Sequence, residues 1–130
     1  MGKKQQALIN DLSAKQVAVD SGLNTLKANI LKVVNINDAI HNAGADNAKA
    51  RQLFLTKATP LQTLHASAQT LRTDLKTFKT SLTALSEFAA KKEKRWFGKS
   101  TIADARTTIF NANDLVSTVT AILERSDRVK

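Results

Sequence analysis

Apolar residues recur every three or four positions along most of this chain, which is the spacing of one face of an α-helix. The pattern is most regular between Leu64 and Lys91, where four consecutive heptads each begin with Leu or Phe. Within them the apolar stripe alternates steps of three and four residues without a gap. We therefore predict a long amphipathic helix here, with left-handed supercoiling against its neighbours.

The same periodicity predicts four helices, over residues 3–43, 47–58, 60–96 and 101–128. Their connections are short, so successive helices are expected to run antiparallel. A chain of 130 residues fits one domain and is long enough to bury its own core. The predicted fold is all-α: a single-domain, up-and-down antiparallel bundle of three long helices plus one short helix, with coiled-coil-like packing.

Local signals mark the predicted helix ends. We expect the first helix to continue through Gly22 and to end at Gly44 in a left-handed C-terminal cap. Asp46 is placed to cap the second helix. Thr59-Pro60 has the form of an N-cap followed by proline at the first helical position, so a new helix starts there or a kink does.

The last predicted helix has a wide apolar face. A capping box formed by Thr101 and Asp104 is expected to begin it, and Phe110, Leu115 and Ile122 widen its stripe. One neighbouring helix cannot cover so wide a face. The last helix is therefore expected either to lie centrally in the bundle or to contribute to a homodimer interface.

Composition removes several kinds of chemistry. The chain has no cysteine, two histidines and isolated glycines, which excludes disulfides, cysteine-containing zinc sites and glycine-rich phosphate loops. Neither His41 nor His65 belongs to a cluster of metal ligands, and no nucleophile, base and orienting group are placed together. We expect a non-enzymatic protein with no catalytic residue, metal or cofactor. No long apolar run or signal sequence is present, which predicts a cytoplasmic protein or one exported without a conventional signal peptide.

The net charge is +9, its excess lies in residues 1–100, and the densest group of cations falls at one predicted helix end. There, five cations and two aromatic residues form a candidate partner-binding site: Lys91, Lys92, Lys94, Arg95, Trp96, Phe97 and Lys99. Cations at a helix C-terminus also complement the helix dipole, which is a structural alternative. That alternative does not explain the single Trp of the chain, a residue type enriched in interface hot spots. In an antiparallel bundle, Lys3 and Lys4 would join this end.

Three partner classes fit such a basic aromatic tip. The first is a protein with an acidic surface, bound by an adaptor, inhibitor, chaperone or immunity-type module that is itself a monomer or a homodimer. The second is nucleic acid, although no DNA-binding motif is recognisable. The third is an anionic phospholipid surface.

The Trp96-Phe97-Gly98 turn between two amphipathic helices resembles the WXG hairpin of small secreted helical proteins, and Phe110-x-x-x-Asp114 is similar to their aromatic-x-x-x-acid export signal. The likeness covers residues 60–128. It implies export without a signal peptide and a helical-hairpin partner. The 59 preceding residues, the basic charge and the position of Phe110 inside the last helix depart from that family.

Overall fold

The chain folds into α-helices joined by short turns, as shown by a computed structural model that describes residues 2–95 and 101–130. The helices are α1 (Lys3–Asn42), α2 (Asn47–Thr56), α3 (Ala58–Glu93) and α4 (Ala103–Arg128). The described residues contain no strand, and the predicted all-α bundle is confirmed.

The helices α1 and α3 form the most extensive contact and run antiparallel. Near one end of the pair, the Ser81 hydroxyl donates to the Asp11 carboxylate. Further along, the Asn29 amide donates to the Ser67 hydroxyl over 3.0 Å. Partners on α3 come earlier in the chain as those on α1 come later, which is the signature of antiparallel packing.

The helix α4 returns along α3 in the opposite direction and also contacts α1. Arg106 lies 3.5 Å from Glu93 at one end, and Arg72 lies 3.2 Å from Asp127 at the other. The up-and-down order is therefore as predicted. Because α1 and α3 pack on each other more extensively than either packs on α4, α4 is not the central helix, and its Phe110 is 75% exposed.

The core is an aliphatic seam between the long helices. Every position of the predicted α3 stripe is buried: Leu64, Ala68, Leu71, Leu75, Phe78, Leu82, Leu85 and Ala89. The side chains that α1 contributes are Leu12, Val19, Leu23, Leu26, Ile30 and Val33. Removal of this apolar surface from water is the main force that holds the bundle together.

The predicted features of α1 and of the turn after it are confirmed. The helix is continuous through Gly22, where a Cβ atom would lie 3.1 Å from Leu71 Cδ1, so the missing side chain allows α1 and α3 to approach closely. Gly44 has a φ of 58°, the left-handed conformation that favours glycine. Asp46 caps α2 by accepting a 3.0 Å hydrogen bond from Lys49 N.

The junction between α2 and α3 is the kink that the sequence allowed as one of two alternatives, but it lies before Thr59-Pro60. Only Lys57 separates the two helices, and α3 begins at Ala58, so Thr59 is not the N-cap and Pro60 lies within the first turn. Proline is tolerated there because the first amides of a helix have no intrahelical acceptor. The second and third helices thus form one bent helix, and the bundle is better counted as three helices, one of them bent.

The predicted start of α4 is also wrong in detail. The N-cap residue is Ile102, whose apolar side chain is buried and cannot accept a capping hydrogen bond. Asp104 lies in the first turn, where its negative charge favours the helix dipole. Ile102, and not the predicted Thr101, is therefore the N-cap residue. The third helix ends at Glu93, with Lys94 as its C-cap residue, three residues before the predicted end at residue 96.

Candidate functional site

The antiparallel pairing of α1 and α3 brings the first turn of α1 beside the last turn of α3. A cleft of about 340 Å³ lies between them. Its lining residues are Gly2, Lys3, Lys4, Gln5, Phe88, Lys91, Lys92 and Arg95. We call the five cations of this lining, together with Phe88, the basic end: Lys3, Lys4, Lys91, Lys92, Arg95 and Phe88.

All the charged side chains that line this cleft are positive. Among the described residues, none of the five cations takes part in an ion pair. The nearest carboxylate along α3, that of Glu93, lies outside the lining and pairs with Arg106 instead. The basic end therefore concentrates uncompensated positive charge, which attracts anions from solution.

Two of these cations lie near the aromatic ring of Phe88. Lys4 Nζ lies 5.8 Å and Lys92 Nζ 5.6 Å from the ring centroid, within the range of cation–π attraction. Phe88 lies just outside the heptad stripe and was not among the residues predicted to form the site. The signal in the sequence is its position four residues before Lys92, which places the two side chains on the same helical face.

Gln5 is the second residue of the cleft that sequence analysis missed. Its side chain is only 2% exposed, and its amide Nε2 has no hydrogen-bond partner among the described residues. An unsatisfied buried donor is unusual in a folded protein because it loses its water without gaining another acceptor. The signal in the sequence is its position seven residues before Leu12, in the register of the buried Val19, Leu26 and Val33.

The two helix ends at the cleft carry opposite partial charges. At the C-terminus of α3, Lys91 and Lys92 complement the negative end of the dipole. At the N-terminus of α1, Lys3 and Lys4 lie at the positive end, where no side chain caps the helix and no acidic residue occupies the first turn. The structural explanation for clustered cations thus applies to α3 and fails for α1.

The predicted partner-binding residues are brought together in part. Lys91, Lys92 and Arg95 line the cleft, whereas Lys94 is exposed and does not line it. The remaining predicted site residues, Trp96, Phe97 and Lys99, lie outside the described residues, as does the WXG-like turn. Their role stays a prediction.

Other candidate chemistry is sparse in the part of the chain that the structure describes. His41 and His65 are both exposed. No three His, Cys, Asp or Glu side chains within residues 2–95 and 101–130 are grouped so as to hold a metal ion. Across the same residues, no helix has the length and apolarity needed to cross a membrane.

Comparison of the chain with protein-family models, with curated proteins and with solved structures gives no match. The function of the protein is therefore inferred from the geometry and charge of the basic end.

Proposed function

We propose that this protein is a non-enzymatic interaction module, of adaptor, inhibitor, chaperone or immunity type, that binds an acidic surface of a partner protein through its basic end. The observation that carries the proposal is the convergence of five cations on one cleft. Its lining contains no carboxylate, and none of the five forms an ion pair among the described residues. Such a patch steers an acidic partner and speeds association.

The limited extent of the patch favours a protein over an extended polyanion. Further along α3, Arg72 and Lys79 line a groove that also contains the carboxylates of Glu124 and Asp127. Arg72 is engaged by Asp127 at 3.2 Å. The basic end is thus a local cluster of cations around one cleft whose lining has no carboxylate, whereas nucleic acid binding uses a basic surface that follows many phosphates.

The test compares two charge-reversed variants with equal net charge. Lys3→Glu/Lys91→Glu changes the basic end, and Lys27→Glu/Lys32→Glu changes two exposed lysines in the middle of α1. The first pair places one acid at a helix N-terminus and one at a helix C-terminus, so the two effects on the helix dipoles oppose each other. Each variant and the wild type would be immobilised, and captured proteins identified and then purified for affinity measurement.

We expect the Lys3→Glu/Lys91→Glu variant to lose a partner protein that the Lys27→Glu/Lys32→Glu control retains. Equal capture by both variants contradicts the proposal. Trp96→Ala, tested in parallel, examines the sequence-based prediction that this side chain anchors the partner.

Binding of nucleic acid or anionic phospholipid is the competing function, supported by the same uncompensated charge. Salt separates the two cases. Polyanion binding falls steeply between low and moderate ionic strength because it is driven by counterion release, whereas a protein contact that includes apolar anchors falls less. Titration of the wild type with duplex DNA and with phosphatidylserine vesicles over the same salt range provides the comparison.

A further inference from the structure

The Gln5 amide lacks an acceptor in a cleft that is rich in donors. The cleft lining supplies the cations of Lys3, Lys4 and Lys91 but no carboxylate that could accept from Nε2. A buried donor of this kind destabilises the protein until something supplies the missing oxygen.

The start of α1 adds a second set of donors at the same place. The first amides of a helix have no intrahelical acceptor, and here no side-chain cap replaces one. Such an end favours negative charge through both its amides and the helix dipole. The orphan amide of Gln5 and the uncapped helix end are separate observations that both favour an oxygen acceptor, and the helix dipole favours one that carries negative charge.

We propose that the cleft beside Gln5 binds a single carboxylate group, contributed by an Asp or Glu side chain of the partner. This inference rests on the proposed function and deepens it, because it names the group that the basic end recognises. The carboxylate accepts from Gln5 Nε2 and lies among the ammonium groups of Lys3, Lys4 and Lys91. Gln5 Nε2 is buried in the free protein, so this contact requires the Gln5 side chain to turn toward the cleft when the ligand binds.

A carboxylate fits the cleft better than a phosphate does. The buried donor is a neutral amide, and the lining has no pair of arginine forks that would recognise a doubly charged phosphate through parallel hydrogen bonds. Arg95 is the one arginine in the lining, and it is exposed. A cleft of about 340 Å³ is at the small end of ligand pockets, which suits one side chain.

The experiment uses the isolated full-length protein and acetate as the probe. Acetate is titrated against chloride at constant ionic strength, and the side-chain amide resonances of Gln5 are followed by nitrogen–proton NMR. We expect a saturable shift of these resonances together with a rise in melting temperature. Inorganic phosphate is titrated in a parallel arm, and tighter binding of phosphate than of acetate overturns the carboxylate assignment.

A matched pair of variants tests the role of the amide. Gln5→Leu removes the buried donor, whereas Gln6→Leu makes the same change at the next residue, which is exposed and donates to Asn10 over 2.8 Å. We expect Gln5→Leu to raise the melting temperature without acetate and to weaken acetate binding at least tenfold. The Gln6→Leu variant should bind acetate as the wild type does.

The outcomes separate this inference from the proposed function. If acetate leaves the Gln5 resonances unchanged, or if both leucine variants respond to acetate alike, the carboxylate site is refuted. Partner capture that still depends on Lys3 and Lys91 would then leave the proposed function standing. Conversely, if acetate binds at Gln5 but the Lys3→Glu/Lys91→Glu variant captures the same partners as the control variant, only the proposed function is refuted.

Discussion

Ser81 Oγ donates a 2.6 Å hydrogen bond to Asp11 Oδ2 across the seam between α1 and α3. Lys15 Nζ, one turn along α1, lies 3.0 Å from the other carboxylate oxygen. The hydrogen bond from Ser81, followed by that from Lys15, holds the pKa of Asp11 below its ordinary value of 3.8. The folded state therefore favours the ionised carboxylate.

This relationship predicts a specific dependence of stability on pH. Because the pKa of Asp11 is lowered by folding, its stabilising contribution is present above pH 3.8 and is lost as the pH falls through the folded-state pKa. Asp11→Asn should therefore lower the free energy of unfolding at neutral pH, and its difference from wild type should shrink under acid. Urea denaturation over that pH range measures the difference.

The control for this experiment is Asp114→Asn, which changes an exposed carboxylate on α4 that has no ion pair among the described residues. A difference between Asp11→Asn and wild type that stays constant with pH would show that the charge of Asp11 does not contribute.

The central seam predicts a large effect for a single truncation. Leu71 is fully buried between α1 and α3, so Leu71→Ala should lower the free energy of unfolding by about 2 to 5 kcal/mol through the cavity it leaves. Leu31, on α1, is 58% exposed. Leu31→Ala should therefore change the free energy of unfolding by less than about 0.5 kcal/mol. Comparable losses for the two variants in chemical denaturation would contradict the packing described here.

Gly22 and Leu71 should be energetically coupled. Replacing a helical glycine by alanine is worth about 1 kcal/mol in helix propensity, but at residue 22 the new Cβ would lie 3.1 Å from Leu71 Cδ1. We expect Gly22→Ala to bring no gain in wild type and to stabilise the Leu71→Ala background by about 1 kcal/mol. A double-mutant cycle measures this coupling, and additivity of the two substitutions would disprove it.

The long helices were predictable because their signal is periodic and redundant. A stripe repeated over four heptads specifies which face of α3 is buried, and no single substitution obscures it. The junction at Lys57 was not predictable in the same way. Whether the helix bends there depends on tertiary contacts. The ammonium group of the buried Lys57 donates to Lys130 O, which is 73 residues away in sequence, and local sequence does not reveal such a contact.

Half of the candidate site followed from the sequence and half required the fold. The cations Lys91, Lys92 and Arg95 form a visible cluster, and antiparallel topology adds Lys3 and Lys4. The burial of Gln5 depends on which side of the first turn of α1 faces α3. The heptad register of Leu12 and Val19 specifies that side, but glutamine is mostly exposed in folded proteins, so the residue type argued against burial.

The charge of Lys3 should lower the stability of the folded protein and strengthen its binding to an acidic partner. It lies at the positive end of the α1 dipole and among four other cations, so both interactions are repulsive. Lys3→Glu is expected to raise the free energy of unfolding by about 0.5 to 1 kcal/mol at low ionic strength, with a smaller gain in high salt because both repulsions are screened.

Lys27→Glu, in the middle of α1, shares neither interaction and is the control. Thermal denaturation at two salt concentrations measures the effect, and lower stability of Lys3→Glu would show that the cations of the basic end are already compensated. The stabilised variant should also bind acetate and the acidic partner more weakly than wild type, since the repulsion it relieves is the field that attracts them.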